Sequence, residues 1–195
     1  MFVTEIFNKK ELFTISTLVE IVKQKGMFNL ITEVPNLYEL FSAEYISALS
    51  DYIKSRINPS DLILEVGAGD GRLAHFLRER GLNVVAIDNF EWEITPLFPV
   101  EELDYKEALK KYNPAIVICS WMPYFADWTP AFRNTRSVRE YIIIGEFPGG
   151  CCGNETIWSD HEGFEEIEID FPLQICRTDR DHFFHSGTFI FRRME

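Results

Sequence analysis

The sequence predicts an α/β protein built on a mostly parallel β-sheet, and three observations lead to this prediction. Two apolar runs, residues 62–66 and 115–120, have the composition of strands that are buried on both faces. A glycine turn and a helix with one apolar stripe join the first run to a strand at residues 83–87, which makes a βαβ unit. Further strand and helix patterns alternate along the chain, as they do in parallel α/β folds.

The glycine turn of this unit has the composition of a nucleoside-binding loop. Gly67, Gly69 and Gly71 follow the first strand, and a strand that turns directly into a helix needs backbone torsions that a Cβ atom disfavours. A bare backbone also lets a ligand lie close to the chain. Asp88 stands at the tip of the second strand, where a carboxylate can accept hydrogen bonds from both hydroxyls of a ribose.

The spacing of the turn resembles motif I of the class I S-adenosylmethionine-dependent methyltransferases. The pattern is Glu65-x-Gly67-x-Gly69-x-Gly71, whereas the dinucleotide pattern G-x-G-x-x-G has its third glycine one residue later. An acidic residue before the glycines suits a ligand that carries an ammonium and a sulfonium, and it suits a pyrophosphate badly. The resemblance therefore implies S-adenosylmethionine as the cofactor. The alternatives are a similar unit that binds NAD and one that binds no ligand.

The same resemblance implies the fold, a Rossmann-like three-layer sandwich. Its sheet has seven mostly parallel strands with an antiparallel last strand, and two N-terminal helices precede it. Residues 1–195 then form a single domain, with residues 1–60 as a helical extension and residues 61–195 as the cofactor-binding core. In this family such leading helices often cover the cofactor cleft and contribute to the choice of acceptor. The alternative is that they only pack against the sheet.

The two leading helices have recognisable ends. The first is predicted at residues 11–25, where one apolar stripe ends before Gly26. The second is predicted to begin after Pro35, with Asn36 as its N-cap and Glu39 as the capping-box residue that reaches back to it.

The second half of the chain contains the other predicted elements. Its strands, besides residues 115–120, are residues 98–103, 141–145, 164–171 at a sheet edge, and 188–191. Thr129 and Pro130 are the predicted N-cap and first residue of a helix. Arg133, Arg136 and Arg139 recur along it at every third position. They are interpreted as ion-paired or solvated, or alternatively as a docking face for an acidic acceptor.

The resemblance assigns a set of residues to the cofactor. These are Glu65, Gly67, Ala68, Gly69, Gly71, Asp88, Asn89, Asp104, Tyr105, Ser120 and Trp121. Asp104 has two interpretations. Its position before a helix that runs to Tyr112 is typical of an N-cap, whereas the resemblance places it where the family's acid binds the adenine amino group.

Residues 120–124, with the sequence SWMPY, occupy the place of the family's motif IV, beside the transferred methyl group. They differ from the N/D-P-P-Y/F loop of amino-group methyltransferases by one extra residue and one missing proline. This difference argues against methylation of a nucleobase or a glutamine amide. Trp121 and Tyr124 are expected to form an aromatic wall beside the sulfonium, or alternatively to pack in the core.

Catalytic residues are expected beyond the carboxyl ends of the parallel strands, where open α/β sheets bind their ligands. The candidates there are Tyr124, Asp127, Glu146 and His182, and of these Tyr124, Glu146 and His182 are predicted to be catalytic. A structural role is the alternative for each. No cysteine or histidine pair has zinc-finger spacing, so no metal site is predicted.

Composition narrows the function classes. The 195 residues carry a net charge of −12, which disfavours a nucleic acid as substrate and leaves small molecules or basic proteins as acceptors. No apolar run is long enough to span a bilayer, and the first residues lack the apolar segment of a signal peptide. The expected location is therefore the cytoplasm or nucleus. The four cysteines do not suggest a disulfide framework.

The sequence thus predicts an S-adenosylmethionine-dependent methyltransferase that acts on a small molecule or, with less support, on a protein side chain. Two alternatives remain. The mismatch in motif IV suggests a non-catalytic protein that keeps the fold as a partner-docking subunit. An NAD-dependent oxidoreductase is the other, although the position of the third glycine disfavours it.

Overall fold

The computed structural model describes residues 11–25, 37–146, 150–176, 179 and 186–195. The helices are α1 (Ile15–Lys25), α2 (Ala43–Arg56), α3 (Arg72–Glu79), α4 (Tyr105–Tyr112), α5 (Thr129–Asn134) and α6 (Thr156–Ser159). The strands are β1 (Glu39–Leu40), β2 (Ile63–Val66), β3 (Val84–Asp88), β4 (Glu101–Glu102), β5 (Ile116–Ser120), β6 (Glu140–Glu146), β7 (Phe164–Ile167), β8 (Ile175–Cys176) and β9 (Ser186–Arg193). Within these ranges, no helix is both long and apolar enough to cross a bilayer.

Seven strands form the main sheet in the order β4-β3-β2-β5-β6-β9-β7. Parallel pairing extends from β2 through β3 to β4 on one side, and through β5 to β6 on the other. β9 is antiparallel to both β6 and β7. The predicted seven-stranded, mostly parallel sheet with an antiparallel last strand is confirmed. The chain changes direction across the sheet between β2 and β5, and open sheets bind ligands at such a point.

Helices cover both faces of this sheet, which confirms the three-layer sandwich. Successive residues of a strand point to opposite faces, so Ile116 and Val117 of β5 belong to different cores. On one face, residues of α2 and α3 such as Leu49 and Leu77 pack against the strands. On the other face, Phe132 of α5 and residues of α4 do so.

The start of the second leading helix differs from the prediction. α2 begins at Ala43, and the Oγ of Ser42 caps it by accepting a hydrogen bond from the Tyr45 N–H at 3.1 Å. Glu39, the predicted capping-box residue, lies instead in β1, which pairs antiparallel with β8. Asn36, the predicted N-cap, lies outside the described residues. The prediction failed because the partners of Glu39 are distant in sequence.

The arginine-bearing helix is shorter than predicted. α5 ends at Asn134, so Arg136 and Arg139 lie beyond it. The predicted N-cap, Thr129, is instead the first residue of the helix, and the N-cap position is Trp128, which makes no side-chain capping hydrogen bond. Asp127 Oδ1 accepts hydrogen bonds from the N–H and Oγ1 of Thr129 at 2.9 and 2.7 Å. Arg133 pairs with Asp160, and Arg139 pairs with Asp61. The ion-paired interpretation is confirmed for these two arginines.

The lengths of β7 and β9 also differ from the prediction. β7 lies at the sheet edge, as predicted, but it ends at Ile167, because pairing with β9 extends only from Phe164 to that residue. β9 is longer than predicted, since its pairing with β6 continues from Ser186 to Arg192.

The start of β6 carries a buried charged group that ties helix α2 to the sheet. The Glu140 Oε1 accepts hydrogen bonds from the Nε atoms of Arg56 and Arg192, both at 2.8 Å, and its Oε2 accepts one from the Tyr52 hydroxyl at 2.6 Å. Glu140→Gln is expected to lower the free energy of unfolding by about 1–3 kcal/mol, because both arginines lose a charged partner. Urea denaturation measures this loss. The exposed Glu102→Gln should change stability by less than about 0.5 kcal/mol, and equal effects would contradict the prediction.

Candidate active site

A cavity of about 410 Å³ opens beyond the carboxyl ends of β2, β3 and β5, and its size is typical of small-molecule sites. The predicted site residues that line it are Glu65, Gly67, Ala68, Gly69, Asp88, Asn89, Asp104, Tyr105, Ser120, Trp121 and Tyr124. Gly71 was also predicted to bind the cofactor, but it does not line this cavity. It is the residue from which α3 begins.

The glycine turn forms the floor of the cavity. Gly67, Gly69 and Gly71 have φ values of +67°, +54° and +81°, a region that side chains disfavour. A Cβ atom on Gly67 would lie 3.0 Å from the Trp128 ring, and one on Gly71 would lie 2.7 Å from Val100. The turn therefore needs glycine for its backbone conformation and also for the close approach of neighbouring side chains.

Asp88 fixes the conformation of this turn. One oxygen, Oδ2, accepts a hydrogen bond from the Gly69 N–H at 2.9 Å, and Oδ1 accepts one from the Phe90 N–H at 2.7 Å. Each carboxylate oxygen can accept a second hydrogen bond, so these two bonds leave capacity for a ribose. Asp88 thus joins the tip of β3 to the glycine turn at the edge of the cavity.

Aromatic side chains line another part of the cavity. Tyr105 stacks on Trp128 with ring centroids 5.0 Å apart, and Trp128 contacts the glycine turn at Gly67. Asp104 lies beside them and caps α4, because its Oδ1 accepts hydrogen bonds from the N–H groups of Lys106 and Glu107. The N-cap interpretation of Asp104 is confirmed, and its adenine contact stays a prediction. Sequence analysis missed Trp128, which the glycine-rich spacing alone does not indicate.

The loop after β5 brings two aromatic residues to the cavity. Trp121 has φ +59°, a conformation that is uncommon for a large side chain and is often found at functional sites. Its ring lies 5.5 Å from that of Tyr38, and its Nε1 donates a hydrogen bond to Glu39 Oε2 at 2.9 Å. Tyr124 lines the rim and is 59% exposed. Tyr124 therefore does not pack in the core, which was the alternative interpretation of its role.

Glu39 is a cavity residue that sequence analysis missed as a site residue. It is 4% exposed, and its carboxylate accepts hydrogen bonds from Trp121 Nε1, from Ser186 Oγ at 2.9 Å and from Gln174 Nε2 at 3.4 Å. Burial raises its pKa to about 8, although these hydrogen bonds oppose the shift. No local signal marks Glu39, because its three partners are 82, 135 and 147 residues away.

Glu65 is the second buried carboxylate of the cavity. Its Oε2 accepts a hydrogen bond from the Ala74 N–H at 2.8 Å, so it binds the first turn of α3. Burial raises the pKa of Glu65 to about 8, and this hydrogen bond opposes the shift. The charges of Asp70 and Asp88 raise the pKa further, and that of Arg78 lowers it. A cation beside Glu65 would favour its ionised form.

Glu39 and Glu65 make the stability of the protein depend on pH. Their ordinary pKa is 4.5 and their folded pKa is about 8, so between these values only the folded protein holds the protons. The free energy of unfolding is therefore expected to fall as pH rises from about 4.5 to about 8. Glu65→Gln should remove its part of this decrease, on the order of a few kcal/mol. Urea denaturation at several pH values measures it.

The groups with lowered pKa values do not mask this trend. Ion pairing with Arg139 and Lys111 lowers the pKa of Asp61 and Glu101, so their contribution is lost only at more acidic pH. If the free energy of unfolding falls equally steeply with pH in wild type and in Glu65→Gln, the prediction is contradicted.

Two other catalytic candidates, Glu146 and Asp127, do not line the cavity. The Oε2 of Glu146 accepts a hydrogen bond from the Cys151 N–H. Both oxygens of Asp127 bind side chains, since Oδ2 accepts from Thr156 Oγ1 at 2.6 Å. His182 lies outside the described residues. Among those described, no three His, Cys, Asp or Glu side chains are grouped as metal ligands would be.

No protein-family model matches this sequence, and no curated protein is significantly similar to it. Solved structures do match. An S-adenosylmethionine-dependent O-methyltransferase from Thermotoga maritima is 11% identical with a TM-score of 0.52, covering 86% of this chain and 71% of its own. The magnesium protoporphyrin IX methyltransferase of Synechocystis PCC 6803, with bound S-adenosylmethionine, is 17% identical with a TM-score of 0.50, covering 76% and 78%.

A third similar structure is the Burkholderia thailandensis 1,6-didemethyltoxoflavin-N1-methyltransferase, with bound 1,6-didemethyltoxoflavin and S-adenosylhomocysteine. It is 12% identical with a TM-score of 0.52, and the match covers 92% of this chain and 87% of that one. All three matches cover most of both chains at low sequence identity, so they show a shared fold. The chain has the Rossmann-like fold of the class I S-adenosylmethionine-dependent methyltransferases.

Proposed function

We propose that this protein is an S-adenosylmethionine-dependent methyltransferase that modifies a small molecule. The observation that carries the proposal is that one cavity joins the glycine turn and Asp88 to the aromatic loop after β5. A cofactor held by the first group of residues would present its methyl group to the second. Methyl transfer needs mainly this alignment and the exclusion of water.

The residues of the cavity fit the cofactor in its separate parts. Asp88 offers carboxylate oxygens to the ribose, and Glu65 offers a negative charge to the ammonium. Tyr105 and Trp128 offer an apolar aromatic wall to the adenine, and Asp104 lies beside them. Trp121 offers an aromatic face to the sulfonium. When bound, the cofactor supplies an activated methyl group.

The acceptor side of the cavity favours a small molecule. Tyr38, Trp121 and Tyr124 line it with aromatic surface, and the buried Glu39 also lines it and accepts a hydrogen bond from Trp121. The net charge of −12 disfavours a nucleic acid acceptor, and a protein side chain remains the second candidate. The location proposed for this activity is the cytoplasm or nucleus.

The test is production of S-adenosylhomocysteine from S-adenosylmethionine, measured with the low-molecular-mass fraction and separately with the protein fraction of a cell extract. We expect product with the first fraction, and much less with Asp88→Ala at a low S-adenosylmethionine concentration, because this variant loses the ribose acceptor. Product with the protein fraction alone would overturn the small-molecule proposal. Binding of S-adenosylhomocysteine without turnover in either fraction would favour the non-catalytic partner-docking alternative.

A further inference from the structure

One buried carboxylate among the described residues lies in the acceptor half of the cavity, and its position sets it apart from the other described acidic residues. Glu39 lines the cavity and accepts a hydrogen bond from Trp121, the first residue after β5. Glu65 also lines the cavity, but it binds the Ala74 N–H at the start of α3, on the cofactor side. Asp127 and Glu146 do not line the cavity, and their carboxylates accept hydrogen bonds from Thr129 and Thr156 and from Cys151. Among the described residues, Glu39 is thus the buried acid on the acceptor side.

We propose that Glu39 is the general base of this site and that the acceptor is a small molecule that loses an N–H or O–H proton as it is methylated. This inference rests on the proposed methyltransferase function. It adds a catalytic residue and a substrate class, because an acceptor without such a proton would gain nothing from the carboxylate.

The proposed step balances in atoms and charge. A lone pair of the acceptor nitrogen or oxygen forms the new bond to the methyl carbon, and the S–CH₃ bond breaks with its electron pair going to sulfur. The acceptor proton passes to the carboxylate of Glu39. The positive charge on the sulfonium and the negative charge of the carboxylate therefore disappear together, which leaves the thioether of S-adenosylhomocysteine, a neutral methylated product and a protonated Glu39.

The surroundings of Glu39 suit a group that gains and loses a proton near neutral pH. Its buried position raises its pKa to about 8, and general bases work best when their pKa is near the working pH. Among the described residues, no lysine or arginine forms an ion pair with it. In the part of the chain that the structure describes, the titratable groups that interact with its charge are Asp179, which raises its pKa, together with Tyr45 and Cys152.

The hydrogen bonds around Glu39 orient it without neutralising it. Trp121 Nε1 donates to Oε2, and Ser186 Oγ and Gln174 Nε2 donate to Oε1. All three are uncharged donors that favour the ionised carboxylate. Ser186 lies on β9 and does not line the cavity, so it can be changed without altering the acceptor surface.

Two variants test the proposal. Glu39→Gln keeps the shape of the side chain and removes the base, and Ser186→Ala keeps the base and removes one donor. The acceptor panel contains aniline, benzylamine, phenol and catechol, which lose a proton on methylation, and pyridine, which does not. Release of S-adenosylhomocysteine measures the rate, and calorimetry with S-adenosylhomocysteine measures folding and cofactor binding.

For Glu39→Gln we expect the rate with an N–H or O–H acceptor to fall about 100-fold or more, with unchanged S-adenosylhomocysteine affinity. In wild type the rate should rise with pH through about 8, and Glu39→Gln should lack this rise. In Ser186→Ala the rise should move to higher pH, because a donor that favours the ionised form is gone. If Glu39 had only a structural role, the pH dependence of the rate would be the same in wild type and in both variants.

Three results would overturn the proposal. The first is a rate in Glu39→Gln equal to that of wild type. The second is a pH dependence of the rate in Ser186→Ala that equals that of wild type. The third is turnover of pyridine with no turnover of any N–H or O–H acceptor. If Glu39→Gln does not fold, the pH profile of Ser186→Ala decides. Binding of S-adenosylhomocysteine with no turnover of any panel member would reject the acceptor class. Absence of S-adenosylhomocysteine binding by wild type would instead reject the proposed function on which the inference rests.

Discussion

Asp88→Ala is expected to weaken S-adenosylhomocysteine binding by about 1.5–3 kcal/mol, which is about 10- to 150-fold in Kd. The ribose would lose its hydrogen bonds to the carboxylate. The same change removes the acceptor of the Gly69 N–H and of the Phe90 N–H, so the glycine turn would also lose its anchor to β3. Calorimetric titration measures the affinity.

The control for this change is Asp51→Ala, at an exposed position on α2 outside the cavity. It removes the same charge and should leave the affinity unchanged. Equal Kd values for Asp88→Ala and wild type would show that Asp88 only shapes the turn and does not bind the ribose.

Gly71→Ala is expected to destabilise the protein by about 2–5 kcal/mol. Gly71 has φ +81°, and the new Cβ would lie 2.7 Å from Val100 Cγ2 and 3.3 Å from Phe98 Cβ. The backbone strain and the overlap should add together, because the segment that carries Val100 and Phe98 is itself held by hydrogen bonds from Leu97 and Phe98 to the Asp70 carbonyl. Urea denaturation measures the loss.

Gly81→Ala is a matched control for this prediction. Gly81 has the same φ of +81°, but a Cβ atom added there would meet no other atom within 4 Å. Gly81→Ala should therefore lower the free energy of unfolding only by the backbone strain, about 1–2 kcal/mol. If both variants lower the free energy of unfolding equally, the close contact at Gly71 has no energetic effect. That result would contradict tight packing of the turn against Val100.

The parts of the fold that could be predicted from the sequence are those with local signals. The apolar strand β2, the glycine turn and the stripe of α3 are contiguous, so composition and spacing were enough to predict them. The same local pattern placed Glu65 and Asp88 at the carboxyl ends of their strands, where both line the cavity. For Asp104, it correctly predicted the N-cap.

The predictions that failed concern residues whose positions depend on distant contacts or on competing local signals. Glu39 fits a capping box by spacing, but its carboxylate is bound by residues of three segments at least 82 positions away. Those contacts stabilise an extended conformation that a local pattern cannot show. At α5, Asp127 and Thr129 are both residue types that favour an N-cap, but the helix begins at Thr129 itself, whose N–H is bound by Asp127. Trp128 reaches Gly67 only through tertiary packing.

The measurement that tests the central claim most directly is a calorimetric titration of the wild-type protein with S-adenosylhomocysteine, followed by a titration with NADH. The cavity formed by the glycine turn, Asp88 and Trp128 predicts saturable binding of S-adenosylhomocysteine at one site and weaker or no binding of NADH. No binding at millimolar S-adenosylhomocysteine, or tighter binding of NADH, would contradict the account of this cavity as a methyltransferase site.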